Sequence, residues 1–136
     1  EGIDMIDGVL HYAVSSADIA CTLDFYCGLL GFTYLFELLD ENGKPKTFYT
    51  SLNRTQFFEV FLSRERFGAQ PETQPGAYPY GFHHVCLRVA DLDVVAARLT
   101  AAAHAFTRDG AGLWTTSPDG VLLRLVPEST NDFQGG

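Results

Sequence analysis

Two stretches of alternating apolar and polar positions, far apart in the chain, share one layout. The first reads Val9-Leu-His-Tyr-Ala-Val14 and the second Phe82-His-His-Val-Cys-Leu-Arg-Val89. Alternation of this kind predicts β-strands with one face turned inward. Each stretch carries a histidine (His11, His84), an aliphatic residue three positions on (Val14, Leu87) and an Ala-Asp pair that ends at Asp18 or Asp91. Past these aspartates the apolar spacing lengthens to that of a helix. Ile19, Leu23, Tyr26, Leu29 and Leu30 follow the first, and Leu92, Val95, Ala96, Leu99 and Ala103 follow the second. A carboxylate ahead of a first helical turn accepts hydrogen bonds from the free amides there, so Asp18 and Asp91 are the expected N-caps. Gly31 is the expected stop of the first helix.

Three strand-like runs follow each helix. In the first copy they cover 32–39, 47–52 and 55–62, separated by the charged turn Asp40-Glu-Asn-Gly-Lys-Pro45 and by Asn53-Arg54. In the second they cover 105–107, 113–116 and 121–127, with Ser117-Pro-Asp-Gly120 before the last. Glycine tolerates positive φ and proline presets the first turn residue, which is why these segments turn. The predicted fold is α+β: one domain, 1–136, made of two tandem βαβββ modules at about 8–62 and 81–127. The Gly-, Pro- and polar-rich stretch 63–80 is the expected linker.

Composition narrows the function classes. The 136 residues carry a net charge of −8, the wrong sign for holding phosphate backbones or anionic lipid, so neither nucleic acid nor membrane is an expected partner. The longest apolar run, 25–36, is too short for a membrane span. Three cysteines without CxxC spacing fit reduced thiols and a cytoplasmic setting better than a disulfide scaffold. The N-terminus is acidic, without the apolar core of a leader, and Met5 is a candidate start.

Side-chain parity then selects candidate chemistry. On the strand over 55–62, Phe57, Glu59 and Phe61 share one face, and on the last strand Leu122, Arg124 and Val126 do. Glu59 and Arg124 are each the single charge in an apolar run. An inward charge costs several kcal/mol unless it is paired or ligates a metal. His11, Glu59, His84 and Arg124 come from equivalent strands of the two copies. The first three suit a divalent metal ion such as zinc, nickel, cobalt, manganese or Fe(II). The competing arrangement pairs Glu59 with Arg124 in a metal-free cavity. His83, whose parity points to the helix side, is expected as a surface group or as a support beside His84, His104 at a helix end where a cation suits the dipole, and Cys86 in inert packing. Tyr78, Tyr80 and Phe82 could cover a ligand.

The segments His11-Tyr-Ala-Val, Phe25-Tyr-Cys-Gly-Leu-Leu-Gly-Phe32, Gln56-Phe-Phe-Glu-Val-Phe61, His84-Val-Cys-Leu-Arg-Val-Ala-Asp-Leu92 and Trp114-Thr-Thr-Ser-Pro-Asp-Gly120 resemble the vicinal oxygen chelate superfamily. The superfamily includes glyoxalase I, fosfomycin and bleomycin resistance proteins, methylmalonyl-CoA epimerase and extradiol dioxygenases. The resemblance is strongest to lactoylglutathione lyase-like members. It implies paired modules in an open, barrel-like sheet around a cavity, a homodimer, and a metal at His11, Glu59 and His84. The fourth family position, a glutamate that serves as ligand and base, falls on Arg124, which stays protonated and has no lone pair to offer.

The resulting expectation is a divalent-metal-dependent lyase or isomerase acting on a small anionic substrate that chelates through neighbouring oxygens. Glu59 and Arg124 are the expected catalytic residues, and Arg124, Phe57, Phe61 and Trp114 the expected substrate contacts. An Fe(II) dioxygenase-like enzyme and a metal-free small-molecule or antibiotic-binding protein are the alternatives.

Overall fold

The computed structural model describes residues 5–63, 74–77, 81–110 and 112–127, and most of the expected linker, Tyr78 and Tyr80 included, lies outside them. The chain divides into two compact units, Glu1–Glu65 and Arg66–Gly136. Each unit runs strand, helix, then three strands.

In the first unit β1 (His11–Ser16), β2 (Thr33–Leu39), β3 (Pro45–Ser51) and β4 (Phe57–Leu62) form one mixed sheet in the order β1-β4-β3-β2. β1 runs parallel to β4, and the other pairs are antiparallel. α1 (Ile19–Leu23) starts as expected, with the Asp18 carboxylate accepting from the Cys21 amide at 3.1 Å. It then widens into a π-helical turn over Asp24–Leu29, where the Leu30 amide reaches back five residues to the Phe25 carbonyl at 3.1 Å. This widening corrects the expected apolar stripe. The fully buried residues are Thr22, Phe25 and Tyr26, whereas Ile19, Leu23, Leu29 and Leu30 are half-buried. An extra residue per turn brings two consecutive aromatics onto one face. Tyr26 packs on Phe58 at 4.2 Å and on Phe32 at 5.3 Å between ring centres, and Tyr12 packs on Phe58 at 4.6 Å. The core of this unit is therefore aromatic.

The second unit repeats the topology with β5 (Val85–Val89), α2 (Leu92–Ala101), β6 (Phe106–Arg108), β7 (Leu113–Thr116) and β8 (Leu122–Pro127), in the sheet order β5-β8-β7-β6. Asp91 caps α2 by accepting from the amides of Asp93 and Val94. Leu92, Val95, Ala96 and Leu99 are buried as their spacing predicts, against an aliphatic core that includes Leu113, Leu123 and Leu125. Ala103 departs from that stripe. It lies past the helix end with φ 55°, the left-handed conformation that closes a helix and that Gly31 supplies in the first unit with φ 83°. Neither sheet closes on itself.

Candidate functional site

Strand register sets Glu59 and Arg124 at equivalent places in the two units, and sequence spacing does the same for His11 and His84. Along β1 and β4, His11 lies opposite Phe57 and Ala13 opposite Glu59. Along β5 and β8, Cys86 lies opposite Arg124. His84 precedes Cys86 by two residues, as His11 precedes Ala13. The third strand of each ladder supplies an aromatic, Tyr49 opposite Glu59 and Trp114 opposite Arg124. Glu59 and Arg124 are thus the same position of a repeated module with opposite charge.

In the first unit Glu59 is buried, at 7% exposure. The His11 Nε2 lies 3.8 Å from its Oε2, too far for a hydrogen bond but within electrostatic reach, and His11 itself is exposed. The Tyr49 hydroxyl donates to the Glu59 carboxylate, and that bond, ahead of burial and the carboxylate's charge, pushes the Tyr49 phenol up. Tyr49 in turn stacks on Phe36 at 4.8 Å. Phe57 and Phe61 flank Glu59 on β4, the former half-buried and the latter exposed.

In the second unit the Arg124 guanidinium, 8% exposed, grips Asp109 with both ends. Nη1 donates to Oδ2 at 2.7 Å and Nη2 to Oδ1 at 3.1 Å. It also lies 4.9 Å from the centre of the Trp114 ring, within cation–π range, and the His84 ring meets Trp114 edge-to-face at 5.0 Å between centres. Asp109 is thus a carboxylate partner for Arg124 within its own unit, one that the strand pattern did not point to. Asp109 opens the β6–β7 turn, where its amide donates to the Gly112 carbonyl at 3.0 Å and its carboxylate accepts from the Gly112 amide at 3.1 Å. A Cβ on Gly112 would stand 2.3 Å from the Leu125 carbonyl oxygen, so only glycine lets this turn lie down on β8. Strand parity says nothing about turn residues, which is why Asp109 escaped it. A signal existed: Asp40 opens the corresponding turn of the first unit and accepts from the amides of Asn42 and Lys44.

His84 lies just before β5 rather than within it, so alternation does not govern residues 81–84. The ring of His83 meets that of His84, Nδ1 to Nδ1 at 2.8 Å, the supporting position beside His84 that was one of its expected places. Burial, then the neighbouring His83 and Arg124, holds the His84 imidazole below its ordinary value. Cys86, expected in inert packing, is exposed, because β5 is an edge strand and Cys86 is on its open face. His104 pairs with the Thr116 carbonyl at 2.8 Å, and Phe82 is exposed.

The structure thus brings His11 and Glu59 together in one unit, and His84, Trp114 and Arg124 in the other. Among the described residues, neither unit by itself gathers three His, Cys, Asp or Glu side chains. The donor types still fit a divalent cation. Glu59 is a buried carboxylate whose neighbours in its unit are a phenol and an imidazole, with no ammonium or guanidinium among the described residues to balance it. No helix among the described residues is long and apolar enough to cross a membrane.

A family model described as Glyoxalase/Bleomycin resistance protein/Dioxygenase superfamily matches residues 8–125. Many solved structures are similar in fold. A glyoxalase/dioxygenase from Nostoc punctiforme aligns with a TM-score of 0.74 and 15% identity over 96% of this chain and 97% of its own. A lactoylglutathione lyase from Agrobacterium tumefaciens aligns with a TM-score of 0.63 and 15% identity over 98% and 100%. An antibiotic binding protein from Streptomyces sp. CB03234 aligns with a TM-score of 0.60 and 20% identity over 92% and 98%. No curated protein sequence matches the chain.

Proposed function

The chain belongs to the Glyoxalase/Bleomycin resistance protein/Dioxygenase superfamily, and from that membership we propose that it is a metal-dependent lyase or isomerase acting on a small anionic substrate with two neighbouring oxygens. The ligands in this reading are His11, Glu59 and His84. The observation that carries it is the burial of Glu59, 7% exposed, with the His11 imidazole 3.8 Å away and no cationic side chain of its unit beside it among the described residues. A buried carboxylate in that state is stabilised most by an incoming cation.

A divalent ion there would supply Lewis-acid stabilisation of negative charge developing on substrate oxygen. The chain's own residues do the rest. Tyr49 is a hydrogen-bond partner of Glu59 in its own unit. Glu59 is the carboxylate that accepts a substrate proton. Arg124 spends two N–H groups on Asp109, which leaves the other guanidinium donors for an anionic group of the substrate. Trp114 adds a cation–π contact to the guanidinium, and Phe57 and Phe61 offer apolar contact.

The test is metal content by mass spectrometry, on protein prepared without nickel and then given zinc, cobalt or manganese. One ion per chain is expected, and none in His11→Ala, Glu59→Gln or His84→Ala. Oxygen consumption by the iron-loaded protein would favour the dioxygenase-like alternative. Absence of metal from the reconstituted wild type would favour a metal-free small-molecule binder. The Asp109–Arg124 pair supports that second reading, because it already neutralises the buried guanidinium without any ligand.

A further inference from the structure

The pair His83–His84 carries information that the ligand reading does not use. His83 Nε2 faces two backbone carbonyl oxygens, Ala77 at 2.8 Å and Gln74 at 3.1 Å. Carbonyl oxygens only accept, so this nitrogen must carry the proton. In their neutral forms the two rings carry one N–H each. His83 Nδ1 then holds a lone pair. It lies 2.8 Å from His84 Nδ1, a distance that requires one hydrogen between the two atoms. That hydrogen can only belong to His84. His84 Nε2 is left with its lone pair, and the edge contact to Trp114 limits the swing of the ring.

We propose that His83 is a positioning residue that locks His84 in the Nδ1–H tautomer and thereby presents His84 Nε2 as a lone-pair donor. The orienting chain runs from the backbone carbonyls of Gln74 and Ala77 through His83 to His84, all within the second unit. Imidazole ligands of metals are commonly held through their other nitrogen by a carboxylate or a carbonyl. Here a second imidazole does it and takes its own direction from the main chain. Free histidine prefers the opposite tautomer, with the proton on Nε2, so the arrangement has a cost unless the exposed Nε2 is used. The tautomer follows from the contacts alone; only its use for metal binding rests on the function proposed above.

The test is long-range proton–nitrogen correlation of the imidazole rings in metal-free, nitrogen-15-labelled protein at pH 8. The expected wild-type spectrum has His84 protonated at Nδ1 and bare at Nε2, with His83 the reverse. His83→Ala should return His84 to a mixture dominated by Nε2–H. His83→Gln, which can donate to a carbonyl and accept from His84, should restore Nδ1–H. Zinc affinity, read by competition with a chelator, should fall about 10–100-fold in His83→Ala and recover in His83→Gln. A wild-type His84 protonated at Nε2, or a tautomer indifferent to His83→Ala, overturns the proposal, and the wild-type spectrum decides it even if the alanine variant fails to fold. A tautomer that switches without any change in zinc affinity upholds the positioning role and removes His84 from the ligand set.

Discussion

Both units run strand, helix and three strands, cap the helix with an aspartate and open the β-hairpin that follows with another, yet their interiors differ. The first packs Phe25, Tyr26 and Phe58 around a π-widened turn, and the second packs Leu99, Leu113, Leu123 and Leu125 against a regular helix. The register of the outer strands is unaffected by that difference: the position two residues past the histidine faces Glu59 in one copy and Arg124 in the other. Core chemistry can therefore drift between copies while ladder register keeps particular side chains on the same face, since a slip by one residue would turn every one of them over. The charges then differ in how they are satisfied. Arg124 has a carboxylate of its own unit, and Glu59 has a phenol and an imidazole.

The largest expected effect lies in the turn that exists in tight form in one copy only. Gly112→Ala should destabilise the protein by about 3 kcal/mol, because the new methyl must displace the β8 backbone. Gly43→Ala, in the corresponding turn of the first unit, has open space and only the left-handed φ of 77° to contend with, so about 1 kcal/mol is expected. Urea denaturation of the two variants checks the order. Equal losses would mean that the two turns constrain their sheets alike.

Next in size is the contrast between the charges. Asp109→Asn strips the carboxylate from a buried guanidinium. Because Asp109 itself is half exposed, about 1–3 kcal/mol is expected rather than the full cost of breaking a buried pair. Glu59→Gln in metal-free protein should stay within about 0.5 kcal/mol of wild type, since the amide oxygen still accepts from Tyr49 and no lysine or arginine among the described residues of its unit loses a partner. A large loss in Glu59→Gln would show that this carboxylate is paired within the protein. The smallest effect concerns the helix ends. Ala103→Gly should raise stability by about 0.5–1 kcal/mol, bringing the second copy to the solution Gly31 gives the first; a loss on the same denaturation curve would show that the Ala103 methyl makes a contact worth more than its backbone strain.

The legible features were those with a short, strict period. Strand alternation and the repeated His…Ala-Asp layout located Glu59 and Arg124 as equivalent positions before any coordinates, and the aspartate caps marked both helix starts. Three features were not legible. The π-helical turn at Asp24–Leu29 breaks the 3.6-residue period on which the apolar stripe was read, so Thr22 and Phe25 replaced Ile19 and Leu23 in the core. The Asp109–Arg124 clamp joins a turn to a strand fifteen residues away, and no local pattern encodes such a contact. The nitrogen-to-nitrogen contact of His83 with His84 is the third, because β5 starts at Val85, after both histidines, and alternation does not orient them.

In the proposed function the two copies of one module divide the work, Glu59 serving a cation and Arg124 an anion. Paired calorimetry of zinc and of inorganic phosphate on Glu59→Gln and Arg124→Met tests it most directly. A crossed result is expected: Glu59→Gln loses zinc and keeps phosphate, while Arg124→Met loses phosphate and keeps zinc at one ion per chain. Loss of zinc in Arg124→Met, or phosphate binding undiminished in that variant, would contradict it.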